Sequence, residues 1–206
     1  PDELLNDLDG DWRSYSGDYS GKRYSSLTQI DKDTVKNLTL AWTTEMNFTT
    51  REESRAGFNP FVGSSNIVTQ IGGEGRGDID ITSGSLKGSI LEVNGILYVT
   101  SPDHAWAMDA RDGSEIWHYH WETLGGTHIG SRGSAIWNDS LLFETPDNFL
   151  VSLNIHTGEE NWHSEIASFE LQYFSTMAPI VVGDRVIVGT GNDLDQPGFT
   201  QAFDAS

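Results

Sequence analysis

The chain has 206 residues, 36% of them hydrophobic and 21% charged, which supports a packed core and excludes a disordered polymer. A formal net charge of −19 repels phosphate backbones and anionic headgroups, which makes nucleic acid and charged membrane surfaces poor partners, and it also reads simply as a solubility device. There is no cysteine, so disulfides, thiolate metal sites and a cysteine nucleophile are excluded, and no 18-residue apolar run is present to cross a bilayer.

In chain order, residues 11–27 are rich in Gly, Ser and Tyr and read as irregular. Ile30 to Leu38 reads as a short helix with Asp31 or Asp33 as its N-cap. Leu38 to Thr44, which includes Trp42, then reads as a strand. Residues 50–85 hold many Gly and Ser with little periodicity, which predicts a long loop or an insertion. A hairpin follows: Ile90 to Val93, an Asn94-Gly95 turn of type I′, and Ile96 to Thr100.

From there the chain repeats. The run Ala107-Met108-Asp109-Ala110-Arg111-Asp112-Gly113 leading to Trp117 returns as Ser152-Leu153-Asn154-Ile155-His156-Thr157-Gly158 leading to Trp162, offset by 45 residues. A third copy starts at Ala202-Phe203-Asp204. Each copy follows a hairpin, the later two turning at Asn138-Asp139 and Gly183-Asp184. Four short antiparallel strands per repeat predict an all-β fold, a β-propeller of four-stranded blades. The recurring Trp suits a wedge between successive sheets, and Gly113 and Gly158 suit positive φ. One incomplete domain is expected: residues 1–49 as N-terminal segment and first strand, 50–85 as loop, 86–206 as consecutive blades. Two or three blades cannot close a ring, so a piece of a longer protein is expected.

Trp12-Arg13-Ser14-Tyr15-Ser16-Gly17-Asp18-Tyr19 and Val35-Lys36-Asn37-Leu38-Thr39-Leu40-Ala41-Trp42 resemble the N-terminal signature of the PQQ-dependent (quinoprotein) alcohol dehydrogenases. The repeats resemble that family's tryptophan-docking motifs, and the loops 125–133 and 189–195 resemble its cofactor-site loops. The resemblance implies an eight-bladed periplasmic propeller holding pyrroloquinoline quinone (PQQ) with Ca²⁺ or a lanthanide. It further implies an alcohol substrate, a cytochrome c or quinone as electron acceptor, and a signal peptide removed before Pro1.

By the same resemblance Arg132, in a loop with Gly at 125, 126, 130 and 133, binds a PQQ carboxylate or quinone oxygen; a guanidinium forks onto such groups. Without the resemblance it reads as a surface arginine. Thr145 matches a hydroxyl that contacts a cofactor carboxylate, or is a Thr favoured at a strand end. Thr190 and Gly191 match a pair lying along the cofactor. Asp193 falls where the family has a metal-binding glutamate; Asp is shorter, and Asn192 or Asp195 are alternatives. Lys87 stands where methanol-oxidising members have a glutamate, and Gly126-Thr127 where those members have two cysteines, which argues against methanol as substrate. His128 is at most a neighbour of the cofactor.

The mechanism so implied has the cation polarise the quinone carbonyl while an aspartate takes the alcohol proton. That aspartate is expected beyond Ser206, so no catalytic residue is assigned here and the chain alone is expected to be inactive. Two other readings compete: a non-enzymatic propeller scaffold of the outer-membrane assembly type, and a carbohydrate-binding or hydrolytic propeller. Arg132 and residues 12–25 favour the enzyme over the scaffold. The fixed repeat position of Trp117 and Trp162 suits blade packing better than a sugar platform.

Overall fold

Three tight turns set the pattern. Asn94 and Gly95 both take positive φ (53° and 79°), as do Asn138 (48°) and Gly183 (62°), so the chain reverses with the twist a hairpin needs. In this computed structural model, which describes residues 10–46, 86–124, 131–192 and 196–206, those turns join the first two strands of three antiparallel sheets. The first sheet runs β1 (Leu91–Val93), β2 (Ile96–Ser101), β3 (His104–Asp109) and β4 (Glu115–His120), in that order. The second runs β5 (Ala135–Trp137), β6 (Ser140–Glu144), β7 (Phe149–Asn154) and β8 (Glu160–Glu165). The third holds β9 (Ile180–Val182), β10 (Arg185–Thr190) and β11 (Phe199–Asp204).

Strand alternation sends neighbouring side chains to opposite faces, and both faces are used. Leu141 and Phe143 of β6 pack with Leu91, Tyr98 and Ala107 of the first sheet. Leu142, between them, packs with Val181, Val186 and Val188 of the third. The second sheet is therefore buried on both sides, as a propeller blade is.

The repeated turns explain the seating of the blades. Asp109, Asn154 and Asp204 each accept a hydrogen bond from the backbone N–H two residues on, at 2.9, 2.9 and 3.1 Å, the side-chain mimic of a turn. Gly113 and Gly158 then take φ of +75° and +73°. Trp117 lies flat on Gly158 of the next sheet: a Cβ there would sit 2.7 Å from its Cδ2 and Cε3. Its indole N–H donates to Ile155 O at 3.0 Å. Trp42 treats Gly113 in the same way, with its N–H on Ala110 O at 3.1 Å. The wedge thus spans two units, the tryptophan of one docking on the glycine of the next.

The N-terminal segment ties the inner edges together. Trp12 exchanges two backbone hydrogen bonds with Glu92 of β1 (2.7 and 3.0 Å), and the Tyr19 hydroxyl donates to Val181 O of β9. Two expectations differ from the structure here. The helix of residues 30–38 is a single 3₁₀ turn, Val35–Asn37, and residues 38–44 join no ladder among the described residues. Leu27, Ile30, Val35, Leu38 and Leu40 are 49–82% exposed, so no apolar face is buried to stabilise a longer helix. Asp31 instead accepts from Asp33 N and Thr34 N, both at 2.8 Å, closing a local turn. Among the described residues no helix is long and apolar enough to cross a membrane.

Candidate functional site

The segments that enter the three sheets are laced side by side. Ser89 N donates to Arg132 O at 2.8 Å, and Arg132 N donates to Thr176 O at 3.1 Å. Glycine permits this approach: a Cβ on Gly88 would lie 3.0 Å from Gly133 N, and Gly133, at φ +127°, faces Ser89 N and O at the same distance. The lacing sets Lys87, Arg132 and Thr176 on adjacent segments at one end of the blades. The side chains of Lys87 and Arg132 are exposed.

The third segment continues to β10. Phe174 and Gly191 exchange backbone hydrogen bonds, both at 3.0 Å, and the Thr190 hydroxyl donates to Phe174 O at 2.9 Å. Around this bridge lies a cavity of about 400 Å³ lined by Phe174, Thr176, Gly189, Thr190, Gly191 and Phe199, among others. Its size suits a small organic ligand. Thr190 and Gly191 therefore share one cavity with Thr176, and Arg132 is bonded to Thr176 through the backbone. Lys87 lies one strand-entry segment further on.

Thr145 sits differently. It directly follows β6, five residues from Ser140, as Thr190 at the end of β10 is five residues from Arg185, the pairs Ser140↔Asn154 and Arg185↔Asp204 being equivalent. Its hydroxyl donates to Asp147 Oδ1 at 2.6 Å and accepts from Phe149 N at 2.9 Å, and the residue is fully buried. That hydroxyl closes the β6–β7 turn. Asp193, with Asp195, and His128 in the glycine loop lie outside the described residues. Asn192 donates its amide to Leu171 O at 2.7 Å.

Two residues of this end were not picked out from the sequence. Thr176 is beside Arg132 only through the backbone bond Arg132 N to Thr176 O, and the 45-residue offset from Arg132 falls on Met177 instead. Glu144 ends β6, 4% exposed, with neither carboxyl oxygen hydrogen-bonded among the described residues. The nearby Ser175 hydroxyl donates to Gly189 O at 3.2 Å instead. Burial raises the Glu144 carboxyl to about 8, so it carries its proton at neutral pH. The only signal for it was an acid closing the apolar run Leu141-Leu142-Phe143.

A carboxyl raised from 4.5 to about 8 binds its proton more tightly in the folded than in the unfolded chain. Stability is then complete below pH 4.5 and falls as pH rises towards 8, by on the order of 5 kcal/mol. Urea midpoints measured from pH 5 to 8 should fall in the wild type and change much less in Glu144→Gln. Equal slopes in the two proteins would show that the carboxyl ionises freely.

Radially stacked sheets, with strand-entry segments laced beside a glycine-walled cavity, define a β-propeller with a candidate ligand site at one end of its blades. The family model described as "PQQ: Glucose/ethanol/alcohol dehydrogenase, beta-propeller domain" matches residues 12–206. The chain belongs to this family. It is 30% identical over 210 residues to the dehydrogenase subunit of alcohol dehydrogenase (quinone) from Gluconobacter oxydans, covering 95% of this chain and 23% of that protein. Quinohemoprotein alcohol dehydrogenase ADHIIG from Pseudomonas putida superimposes with a TM-score of 0.73 at 25% identity, over 95% of this chain and 25% of that one. A europium-containing methanol dehydrogenase does so with a TM-score of 0.72 at 25% identity, over 100% and 32%. The chain spans about a quarter of the length of the curated relatives it matches.

Proposed function

We propose that the protein oxidises an alcohol to an aldehyde or ketone with PQQ as its cofactor, in the periplasm. The observation that carries this reading is the backbone lacing that sets Arg132 beside Thr176 and the Thr190–Gly191 cavity, in a chain of this family. The residues present fit the cofactor: PQQ is a flat tricarboxylate, and a guanidinium, the Thr176 hydroxyl and close-approaching glycine backbone are what such an anion needs.

In this reading Arg132 holds a cofactor carboxylate or quinone oxygen, and Lys87 adds a second positive charge at the same end. Thr190 and Thr176 line the ligand's edge, and the bare backbone of Gly191 admits its face. Thr145 serves through the turn it closes, keeping the β6–β7 end in place. Asp193 is proposed as a ligand of Ca²⁺ or a lanthanide, both of which take oxygen donors. Bound PQQ supplies a two-electron acceptor for the hydrogen on the alcohol carbon, next to a cation that polarises its carbonyl. The proton from the alcohol goes to an aspartate placed beyond Ser206, and the electrons pass on to a cytochrome c or a quinone.

The full-length protein reconstituted with PQQ and Ca²⁺, or with a lanthanide, should reduce an artificial electron acceptor when given primary or secondary alcohols. The 206-residue chain by itself should not. Turnover by the 206-residue chain would refute the placement of the base. A full-length protein that gives no change in quinone absorbance or fluorescence with PQQ would favour a non-enzymatic propeller scaffold.

A further inference from the structure

His104 opens β3 and His120 closes β4, and the two are paired across the ladder. Trp106 and His118 are paired two residues further in, so strand alternation puts all four rings on one face. They form a stack. The His104 ring centroid lies 4.6 Å from His120, 5.0 Å from His118 and 5.2 Å from Trp106. Asp103, in the turn before β3, is pinned at the same end by its carbonyl, which accepts from Trp121 N at 2.8 Å. One ligand atom from each of Asp103, His104 and His120 lies within 4.8 Å of the other two.

Two distances within this cluster point to its chemistry. His104 Nδ1 and His118 Nε2 are 2.8 Å apart, a hydrogen bond that carries one proton between two rings. On the other side, His104 Nε2 stands 3.6 Å from Asp103 Oδ1, too far for a hydrogen bond. That spacing is close to the edge, roughly 3.3 Å, of a tetrahedron whose donors lie about 2.0–2.1 Å from a central zinc. His104 is buried, at 2% exposure, and the three rings around it hold its orientation. When its Nδ1–H donates to His118, its Nε2 lone pair faces a carboxylate, and a cation between them resolves that conflict. A metal-bound histidine whose other ring nitrogen donates to a fixed acceptor is the usual arrangement.

We propose that Asp103, His104 and His120 bind a divalent transition ion of the zinc class, with a water in the fourth position and His118 accepting the proton of His104 Nδ1. Two imidazoles and one carboxylate suit such an ion, whereas Ca²⁺ and lanthanides take oxygen donors. The site clamps the β2–β3 turn of the first sheet to the end of β4. It shares no residue with the cavity of Thr190 and Gly191 and does not rest on the dehydrogenase reading.

Cobalt tests this, because four-coordinate Co²⁺ in a histidine-carboxylate site absorbs far more strongly in the visible than six-coordinate Co²⁺ bound by oxygens. The full-length protein is stripped with a chelator and titrated with Co²⁺ alone. One equivalent should give the intense four-coordinate bands, which Zn²⁺ should remove and excess Ca²⁺ should not. His120→Gln and Asp103→Asn should each weaken Co²⁺ binding at least about 100-fold, as loss of a metal ligand must exceed loss of its supporting partner. His118→Phe, which keeps an aromatic ring against Trp106, should weaken it about 10- to 100-fold. Absence of the intense bands in the wild type would overturn the proposal. So would bands that Ca²⁺ displaces, or bands that survive in both His120→Gln and Asp103→Asn.

Discussion

Gly158→Ala should be among the most destabilising single-methyl additions in the chain, lowering stability by about 2–5 kcal/mol. Two costs combine at this position. The backbone is left-handed at φ +73°, which costs an L-residue roughly 1–2 kcal/mol. The new Cβ would also enter the Trp117 ring at 2.7 Å, and overpacking a filled contact costs about 1–3 kcal/mol. Gly95→Ala separates the two: φ is +79° there, but nothing lies within 4 Å of a Cβ. Urea denaturation of both variants should show Gly95→Ala losing only the backbone part. If Gly158→Ala is no worse than Gly95→Ala, the Trp117 ring does not seat on that glycine and the account of blade docking fails. Gly113, beneath Trp42, should behave as Gly158 does, since its Cβ would come within 2.5 Å of the ring.

Arg132→Ala in the full-length protein should lower PQQ affinity about 10- to 100-fold, the loss expected for hydrogen bonds to a charged group. The Arg132 backbone, which carries the lacing to Ser89 and Thr176, is untouched by the substitution, so the blades should stay in place. Arg132→Lys should recover only part of the affinity, because an ammonium is a point charge and cannot form the two parallel bonds of a guanidinium. Quenching of protein fluorescence on PQQ titration reads the effect directly, with circular dichroism as the check on folding. Affinity that is unchanged in Arg132→Ala would remove Arg132 from the cofactor site, whatever the family of the chain.

The repeat was the most legible part of the sequence. Asp109 and Asn154, Gly113 and Gly158, and Trp117 and Trp162 recur at one offset, and their turns form by bonds that reach only a few residues along the chain. Local chemistry of that kind can be read without the fold. Trp42 shows the boundary. A strand was expected over Leu38 to Thr44, yet what holds Trp42 is a glycine 71 positions on, and the residues around it join no ladder. The helix of residues 30–38 failed for a related reason: pattern and cap were present, but no partner surface buries Val35 or Leu38.

The candidate site was legible where a loop announced itself and hidden where it did not. Thr145 and Thr190 look alike as threonines at strand ends. Only the tertiary structure distinguishes a hydroxyl held within its own turn by Asp147 and Phe149 from one that donates to Phe174 O in the wall of a cavity. Thr176, Glu144 and the histidines at 104, 118 and 120 gave little signal, since hydroxyls, single acids and scattered histidines are common in strands and their ends.

By itself the sequence determined the four-stranded unit, its turns, its repeat length and the strongly acidic charge, because each follows from composition or from contacts a few residues apart. Tertiary structure alone decided which tryptophan meets which glycine, which hydroxyls line a cavity, and that Asp103 and His120, 17 residues apart, converge on His104. The physical reason is range. Turn and strand preferences act over a few residues, whereas a site is made where antiparallel pairing and blade stacking bring distant side chains within a few ångströms.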